Sequence, residues 1–218
     1  MKKVIVIGGA GIGMIAASII NTLPDVELMG FLNDVVPVGQ TQGKFKKIKV
    51  IGKSQDVHKF IKEYDAYVLM VYVGMKKEKE RWEKLLSLNI PRSRFINIIH
   101  PSAQIPWEYC SIGNGVLMAP NVQLSPDTTI SDNCILLGNS FVGHDSILKQ
   151  YVSVANHASI GANVHIGRAV HIGSNATIKE RVNIGEFSLI GMGSVVLNDV
   201  PPNTIVAGTP AKAIVSKS

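Results

Sequence analysis

Residues 142–172 read VGHDSILKQYVSVANHASIGANVHIGRAVHI, and every sixth position, counted from Val142, carries an apolar side chain. The same phase continues without an insertion over fifteen positions, from Ile112 to Val196. The residue after each position is usually small and is Gly at seven of the fifteen. A second series of small or β-branched residues lies two positions before each of them. A period of six fits neither the 3.6-residue period of a helix nor the two-residue period of a simple strand.

This six-residue period predicts a solenoid of short strands, in which each repeat forms one flat face. We expect the large apolar side chain to point inward, the small residues to fill the corner, and the others to face outward. The pattern resembles the hexapeptide-repeat, left-handed parallel β-helix, in which three repeats form one triangular coil, so that fifteen repeats imply about five coils. Cys110 and Cys134 fall on the inward small-residue phase. We therefore expect structural thiols rather than a disulfide or a metal pair.

The first hundred residues follow a different pattern, in which strand-like apolar segments alternate with helical ones. Strands are predicted at residues 4–7, 26–32, 48–51, 66–73 and 95–99, and helices at about 12–21, 54–63 and 76–88. Residues 35–47 are rich in turn formers and are predicted to be a loop. Such alternation predicts an α/β region with a parallel, doubly wound sheet. Pro101 and Pro106 interrupt the pattern, so the predicted domains are residues 1–103 and 104–218.

Composition and charge narrow the classes of partner. The formal net charge is +6, with 46% hydrophobic and 17% charged residues. Nucleic-acid binding calls for clustered basic residues interleaved with aromatic ones, whereas the lysines here are scattered apart from residues 44–49 and 76–81. We expect no nucleic-acid partner, although a polyanionic small molecule would suit a basic surface. No apolar run is long enough to span a bilayer, and the N-terminus lacks a cleavable signal pattern. These features favour a cytoplasmic protein without a membrane partner.

A glycine-rich turn, Gly8-Gly9-Ala10-Gly11-Ile12-Gly13, follows the first predicted strand. Backbone N–H groups at such a turn can approach an anion at the N-terminus of the next helix. The spacing is not a clean GxGxxG, and the glycines could instead serve only to pack helix and strand closely. The region has too few strands for a dinucleotide cradle, so a mononucleotide-like ligand is favoured. Asn33-Asp34, after the second strand, would then accept hydrogen bonds from its ribose or base.

Chemistry in the repeat region must come from outward positions, where four histidines lie: His144, His157, His165 and His171. An exposed histidine on a regular repeat is most often a solvated surface residue. His144 differs because Asp145 follows it directly, and a carboxylate beside an imidazole orients the ring for general-base catalysis. The gaps between successive histidines are thirteen, eight and six residues. They lack the His-x4-His pair of zinc-binding β-helix proteins, the γ-class carbonic anhydrases, so no catalytic metal is predicted.

The order of these parts resembles the sialic-acid/bacillosamine-type sugar O-/N-acyltransferases, and the resemblance covers essentially the full length. That family joins a small N-terminal Rossmann-like domain to hexapeptide coils through an Ile-His-Pro-Ser-Ala linker and ends in a Gly-x-Pro-Ala-Lys tail. Here the linker is Ile99-His100-Pro101-Ser102-Ala103 and the tail is Gly208-Thr209-Pro210-Ala211-Lys212. The resemblance implies a homotrimer with active sites between neighbouring β-helices, CoA laid along the helix, and a nucleotide-linked amino sugar held by the N-terminal domain.

The resemblance also implies roles for particular residues. His144 would be the catalytic base and Asp145 its orienting partner. Ala162, one coil further on, would support the oxyanion of the thioester carbonyl through its N–H group. The predicted CoA-binding residues are Ser153, Gly161, Ala162, Ser174 and Met192. The predicted substrate-binding residues are Ala10, Gly11, Ile12, Gly13, Asn33, Asp34, Val73 and Gly74.

Three departures from the family pattern concern the substrate. The family often has Ser-Gly-His-Gly where this chain has Ala10-Gly11-Ile12-Gly13. The first acid of the usual pair after the second strand is Asn33 here. A second histidine, commonly near the thioester, is replaced by Ser153, and His157 is a candidate substitute for it.

The resulting hypothesis is transfer of an acetyl group from acetyl-CoA to the amine of a nucleotide-linked amino sugar, with UDP as the expected nucleotide. The amine would attack the thioester directly, without an acyl-enzyme. Two alternatives remain open at this point: O-acetylation of a sialic-acid-like sugar, and a non-catalytic β-helix scaffold that binds nucleotide.

Overall fold

The computed structural model describes residues 1–71 and 78–214. Its N-terminal part, called the α/β region here, contains five strands and three helices. They are β1 Lys2–Ile7, α1 Ile12–Ile20, β2 Val26–Leu32, β3 Thr41–Gln42, β4 Ile48–Gly52, α2 Val57–Tyr64, β5 Tyr67–Met70 and α3 Glu78–Ser87. Short 3-10 turns lie at Ser54–Asp56 and Arg92–Arg94. The strand order is β3-β4-β2-β1-β5. Strands β4, β2, β1 and β5 are parallel, and β3 is antiparallel to β4.

Helices cover both faces of this sheet, because β1 is apolar on each side. Val4 and Val6 pack in one cluster with α1. Ile5 and Ile7 pack in a second cluster with Val57 of α2 and Leu85 of α3. A strand buried on both faces reads as a continuous apolar run rather than an alternating one, as residues 4–7 do.

The repeat region forms a β-helix of fifteen two-residue strands, one from each repeat, arranged as three parallel sheets. Sheet I comprises β7 Ser111–Ile112, β10 Thr129–Ile130, β13 Ile147–Leu148, β16 His165–Ile166 and β19 Asn183–Ile184. Sheet II comprises β6 Ile98–Ile99, β8 Leu117–Met118, β11 Ile135–Leu136, β14 Ser153–Val154, β17 His171–Ile172, β20 Leu189–Ile190, β22 Ile205–Ala207 and β23 Lys212–Ala213. Sheet III comprises β9 Gln123–Leu124, β12 Phe141–Val142, β15 Ser159–Ile160, β18 Thr177–Ile178 and β21 Val195–Val196. Within the repeats, each strand pairs with the one 18 residues later, so three repeats make one coil.

The second residue of each repeat strand points into the β-helix and the first points out. Val142, Val154 and Ile166, for example, are almost completely inaccessible, and they belong to one continuous core. The predicted inward phase is therefore confirmed, including the buried Cys134 and the partly buried Cys110, both of which are free thiols.

The corners of the coils are made by left-handed backbone at every sixth residue. Twelve non-glycine residues from Asn121 to Phe187 have φ between 55° and 63°. Seven of the twelve are Asn or Asp, the residues that tolerate this conformation best after Gly. We name each corner by the sheets it joins: corner I–II, corner II–III and corner III–I.

The α/β region packs against sheet II and corner I–II. The outward side chains of Leu117 and Ile135 in sheet II share a cluster with Val4, Val6 and α1. At corner I–II, Arg92 forms a bidentate ion pair with Asp132 at 2.7 and 2.9 Å. Higher on this corner, Trp82 of α3 contacts Phe187 edge to face at 5.8 Å between ring centroids. The guanidinium of Arg168 lies 4.9 Å from the Trp82 ring centre.

Two predictions about the α/β region are wrong. Residues 95–99 are not the last strand of its sheet: β6 pairs with β8 in sheet II, and Phe95 keeps only a single bridge to Val68. The apolar Ile98-Ile99 pair has the in-and-out pattern of a repeat strand, which lets it extend the β-helix. Residues 35–47 are not all loop, because Thr41 and Gln42 form β3. The boundary at residues 103/104 stays a prediction.

The C-terminal residues close one end of the β-helix. Val200 bridges to Ile184 of sheet I, and β22 pairs with β20 of sheet II. At sheet III, the N–H of Val195 donates to the Gly208 carbonyl at 3.0 Å. Among the helices of residues 1–71 and 78–214, none has the length and apolarity needed to cross a membrane.

Candidate active site

His144 and Asp145 form a hydrogen-bonded pair on corner III–I, between β12 and β13. The Nδ1 atom of His144 lies 2.6 Å from Oδ2 of Asp145, and the two side chains are 58% and 51% exposed. The left-handed backbone of Asp145, with φ of 58°, turns its carboxylate back toward the preceding imidazole. A carboxylate can only accept a hydrogen bond, so Nδ1 carries the proton. Nε2 is then the ring atom left to accept a proton, on a side chain that is largely exposed.

Gly161 and Ala162 lie on the same corner, one coil above His144. The two coils are so close that a Cβ atom added to Gly143 would lie 2.6 Å from the Gly161 carbonyl carbon and 2.7 Å from the Ala162 nitrogen. The N–H of Asn163 donates to the His144 carbonyl at 2.8 Å, which fixes the register of the two turns. The predicted base and the predicted oxyanion donor are therefore neighbours.

The other residues predicted to bind CoA lie elsewhere on the β-helix. Ser174 and Met192 are on corner II–III, where the N–H of Gly193 donates to the Ser174 carbonyl at 2.8 Å and Met192 is 76% exposed. Ser153 is the outward residue of β14 in sheet II. The five predicted residues thus occupy two corners and one face of a single chain.

The histidine beside Ser153 is His171, and His157 is elsewhere. Ser153 Oγ lies 2.7 Å from His171 Nδ1, whereas His157 sits at corner II–III with its N–H donating to the Gly138 carbonyl. His157 therefore does not lie beside Ser153 within the chain, and its suggested role as a substitute for the second histidine stays a prediction. His171 is half-buried, and burial lowers its pKa from the ordinary value. The sequence signal for this pair was its spacing of 18 residues, which is one coil.

The glycine turn lies at the carboxyl end of β1, where Ala10 is bound by a side chain that the sequence analysis missed. The Ala10 N–H donates to Oε1 of Gln42 in β3. A Cβ atom at Gly9 would collide with the amide groups of Gln42 and Asn33, so a larger residue here would displace these two side chains. Gly11, with φ of 57°, precedes α1 and provides no side-chain cap. Gln42 was missed because it is 32 residues away, in a segment predicted to be loop.

Asn33 is buried and holds two loops together. Its Nδ2 donates to the Gly8 carbonyl at 2.9 Å, and its Oδ1 accepts the N–H groups of Val35 and Val36 at 2.9 and 2.8 Å. An aspartate here would place a carboxylate oxygen against the Gly8 carbonyl. This geometry accounts for asparagine at a position where the resembled family usually has an acid.

Asp34 is tied to the helices on the same side of the sheet. It accepts Ser54 N–H at 2.9 Å, Ser54 Oγ–H at 2.7 Å and Lys84 Nζ at 2.7 Å. Partial burial tends to raise its pKa, but the hydrogen bonds from Lys84 and Ser54 outweigh burial, and the pKa is lowered. Val73 and Gly74, also predicted to bind substrate, lie outside the described residues.

The structure does not bring the glycine turn and His144 together within one chain. The α/β region covers sheet II and corner I–II, whereas His144 lies on corner III–I, across the triangular coil from sheet II. Within the described ranges, no group of three or more His, Cys, Asp or Glu side chains could hold a metal ion.

Comparison with known proteins gives a short sequence match and long structural ones. No protein-family model matches the chain. A segment of 33 residues is 61% identical to a Schizosaccharomyces pombe protein whose name assigns it provisionally to the acetyltransferases. This match spans 15% of the present chain and only 16% of that protein's length.

Three solved structures illustrate the likeness in fold. A perosamine N-acetyltransferase from Caulobacter crescentus, in complex with CoA and GDP-perosamine, has a TM-score of 0.83 at 21% identity, covering 98% of this chain and 97% of that chain. The acetyltransferase domain of PglB from Neisseria gonorrhoeae, in complex with acetyl coenzyme A, has a TM-score of 0.79 at 24% identity, covering 98% and 99%. LpxA from Acinetobacter baumannii has a TM-score of 0.51 at 29% identity, covering 54% and 53%. The likeness establishes a shared fold, and it fits the predicted left-handed β-helix of acyltransferases.

Proposed function

We propose that this protein transfers an acetyl group from acetyl-CoA to the amine of a nucleotide-linked amino sugar. The observation that carries the proposal is the exposed His144–Asp145 pair, with Nδ1 and Oδ2 2.6 Å apart, directly beneath the Gly161-Ala162 turn. A long structural likeness to an N-acetyltransferase that binds CoA and GDP-perosamine supports both the reaction and the substrate class. Because the ligand of that enzyme is linked to GDP, the substrates to be tested should include GDP-linked as well as UDP-linked sugars, although UDP was the nucleotide expected from the sequence.

The reaction needs one base and one oxyanion donor. Nε2 of His144 accepts the proton that the amine loses as its nitrogen bonds to the thioester carbon. Asp145 keeps the ring oriented and stabilises the imidazolium that forms. The Ala162 N–H stabilises the negative charge that develops on the carbonyl oxygen. When the carbon–sulfur bond breaks, the proton held by His144 can pass to the departing thiolate, which restores the neutral base.

The α/β region is proposed to be a Rossmann-like domain, residues 1–103, that holds the nucleotide. The residues proposed to contact the nucleotide are Ala10, Gly11, Ile12 and Gly13, with Asn33 and Asp34 beside them. We call this set the candidate nucleotide-binding edge. A backbone turn at the N-terminus of α1 suits a diphosphate. Val73 and Gly74 complete the proposed set on the basis of family position.

A homotrimer would unite the two halves of the site. Because the glycine turn and His144 lie on opposite sides of one β-helix, a nucleotide sugar bound by one chain would meet the base of its neighbour. The same packing would place Ser174 and Met192 of corner II–III along a shared channel for CoA. Sedimentation analysis should give three times the 23.5 kDa chain mass, and an active monomer would contradict this arrangement.

Replacing His144 with alanine tests the proposed base. We expect turnover to fall by about 10²–10⁴-fold, the usual contribution of a positioned base, while the assembly stays intact. The measurement is thiol release from acetyl-CoA with UDP-, GDP- and dTDP-linked 3-amino and 4-amino sugars, and with a free sialic-acid-like sugar. His165→Ala, at another exposed histidine of the β-helix, is the matched control. Near-normal turnover in H144A would remove His144 from the mechanism.

The same assay separates the two alternative functions. Turnover only on a free sialic-acid-like sugar would assign O-acetylation and leave the glycine turn as a packing device. Binding of acetyl-CoA without turnover on any sugar would instead indicate a scaffold. The intact His144–Asp145 pair favours the enzyme.

A further inference from the structure

The outward positions of sheet II form a column that is apolar except at its centre. Strand register places six of these residues directly above one another: Leu117, Ile135, Ser153, His171, Leu189 and Ile205. A serine and a histidine thus replace two aliphatic residues within an otherwise aliphatic stack. Neither is required by the repeat, whose core is built by the inward phase. The interruption therefore calls for a separate explanation.

The two residues form a pair rather than two independent surface groups. Ser153 Oγ and His171 Nδ1 are 2.7 Å apart. Ser153 is only 7% exposed and His171 is half-buried. Burial lowers the pKa of His171, so the ring is neutral at physiological pH. In either tautomer this hydrogen bond fixes the orientation of the uncharged ring and leaves Nε2 as its second hydrogen-bonding atom.

The pair lies between a covered and a more open stretch of sheet II. Leu117 and Ile135, below the pair, are 0% and 2% exposed because they pack against that region, whereas Ile205, above it, is 43% exposed. Ile12, the residue after Gly11 in the glycine turn, packs against the cluster that contains Ile135. Ser153 lies one coil above Ile135 in the same sheet. Junctions of this kind between two packed units are common places for ligands to bind.

We propose that Ser153 and His171 bind the sugar ring of the nucleotide sugar, and so act as specificity residues for the acceptor rather than as CoA ligands. This inference rests on the proposed function. An uncharged imidazole suits a sugar hydroxyl, which can donate or accept, better than a diphosphate, for which a cation would be preferred. Leu189, above the pair and partly exposed, offers aliphatic contact to the less polar part of the ring. The nucleotide itself would remain on the glycine turn.

Calorimetry can separate sugar binding from nucleotide binding without turnover. The ligands are a UDP- or GDP-linked amino sugar that the wild-type protein binds, the matching nucleoside diphosphate, and acetyl-CoA. For Ser153→Ala and His171→Ala we expect affinity for the nucleotide sugar to fall about 3- to 10-fold, the value of a lost hydrogen bond or two. Affinity for the nucleoside diphosphate and for acetyl-CoA should not change. His165→Ala, on sheet I, is the control.

Each possible result bears on a different assignment. Equal loss for nucleotide sugar and nucleoside diphosphate, or no loss for either, would overturn the sugar-binding role while leaving the nucleotide site standing. Loss confined to acetyl-CoA would overturn it too, and would return Ser153 to the CoA channel. A wild-type protein that binds neither nucleotide ligand would overturn the nucleotide site and this inference together. S153A keeps the imidazole and so guards against a folding defect in H171A.

Discussion

In the β-helix a residue pairs with the residues 18 positions before and after it in the sequence. At the candidate nucleotide-binding edge of the α/β region, by contrast, the contacts join residues that are 25, 32 and 50 positions apart. The first spacing is constant, so one rule places every side chain of fifteen repeats. The other spacings are set by individual contacts: Asn33 to Gly8, Gln42 to Ala10, and Lys84 to Asp34. The difference shows that a site on a repeat can be located in the sequence from the phase of the repeat. A site at the edge of a sheet cannot, because it depends on how individual loops fold.

The largest loss of stability is expected when an inward apolar side chain of the repeat is removed. Ile160→Ala removes a fully buried inward side chain from the β-helix core. Because neighbouring coils cannot collapse into the cavity, we expect the free energy of unfolding to fall by about 2–5 kcal/mol. His165→Ala, which changes an exposed outward position, should stay within about 0.5 kcal/mol of wild type. Unfolding in guanidinium chloride measures the free energy of unfolding of both variants. Similar losses in the two would show that the six-residue phase does not determine which side chains are buried.

A smaller effect is expected from the contacts that set the α/β edge. Asn33→Ala removes the partner of the Gly8 carbonyl and of two loop N–H groups. We expect a loss of about 1–3 kcal/mol in unfolding free energy, together with weaker nucleotide binding.

Asn33→Asp sharpens this test because it keeps the acceptor but loses the donor. It should be no more stable than N33A at neutral pH, since a carboxylate would face the Gly8 carbonyl. A variant N33D that matches wild type in thermal unfolding would contradict the role given to the amide.

The smallest effect is expected at His171. Its pKa is lowered in the folded protein by burial, so folding favours the neutral ring. The associated stability is complete above the ordinary histidine pKa of about 6.5 and is lost as pH falls below it. Between pH 7.5 and pH 5, the Tm of wild type should therefore fall about a degree or two further than that of His171→Gln. Groups that titrate in both proteins cancel in this difference, and parallel curves would count against the burial argument.

The phase of the repeat was enough to predict most of the β-helix and the position of its candidate base. It gave the number of coils, the inward cysteines and the outward placement of His144. It did not reveal that Ile98-Ile99 joins sheet II, because two residues before the linker carry too little periodicity. Nor did it pair Ser153 with His171, although their spacing is one coil. In the α/β region four of the five strands were predicted, but β3 was not, and the contact of its Gln42 with Ala10 was missed because no local pattern links the two.

Corner geometry offers a signal that the apolar phase does not. Left-handed backbone recurs at every sixth residue, and Asn or Asp fills most of those positions. Asp145 is one of them, and its carboxylate accepts the hydrogen bond from His144 Nδ1 at 2.6 Å. The position of the candidate pair is therefore fixed by the same backbone that forms the corner.

The closed end of the β-helix has a consequence for assembly. A stack of parallel strands would present exposed edges to any similar stack, and chains could then add end to end as a fibre. Val200, β22 and the Val195–Gly208 hydrogen bond place C-terminal residues over all three sheets at that end. Addition of a further chain along the helix axis is therefore hindered at this end.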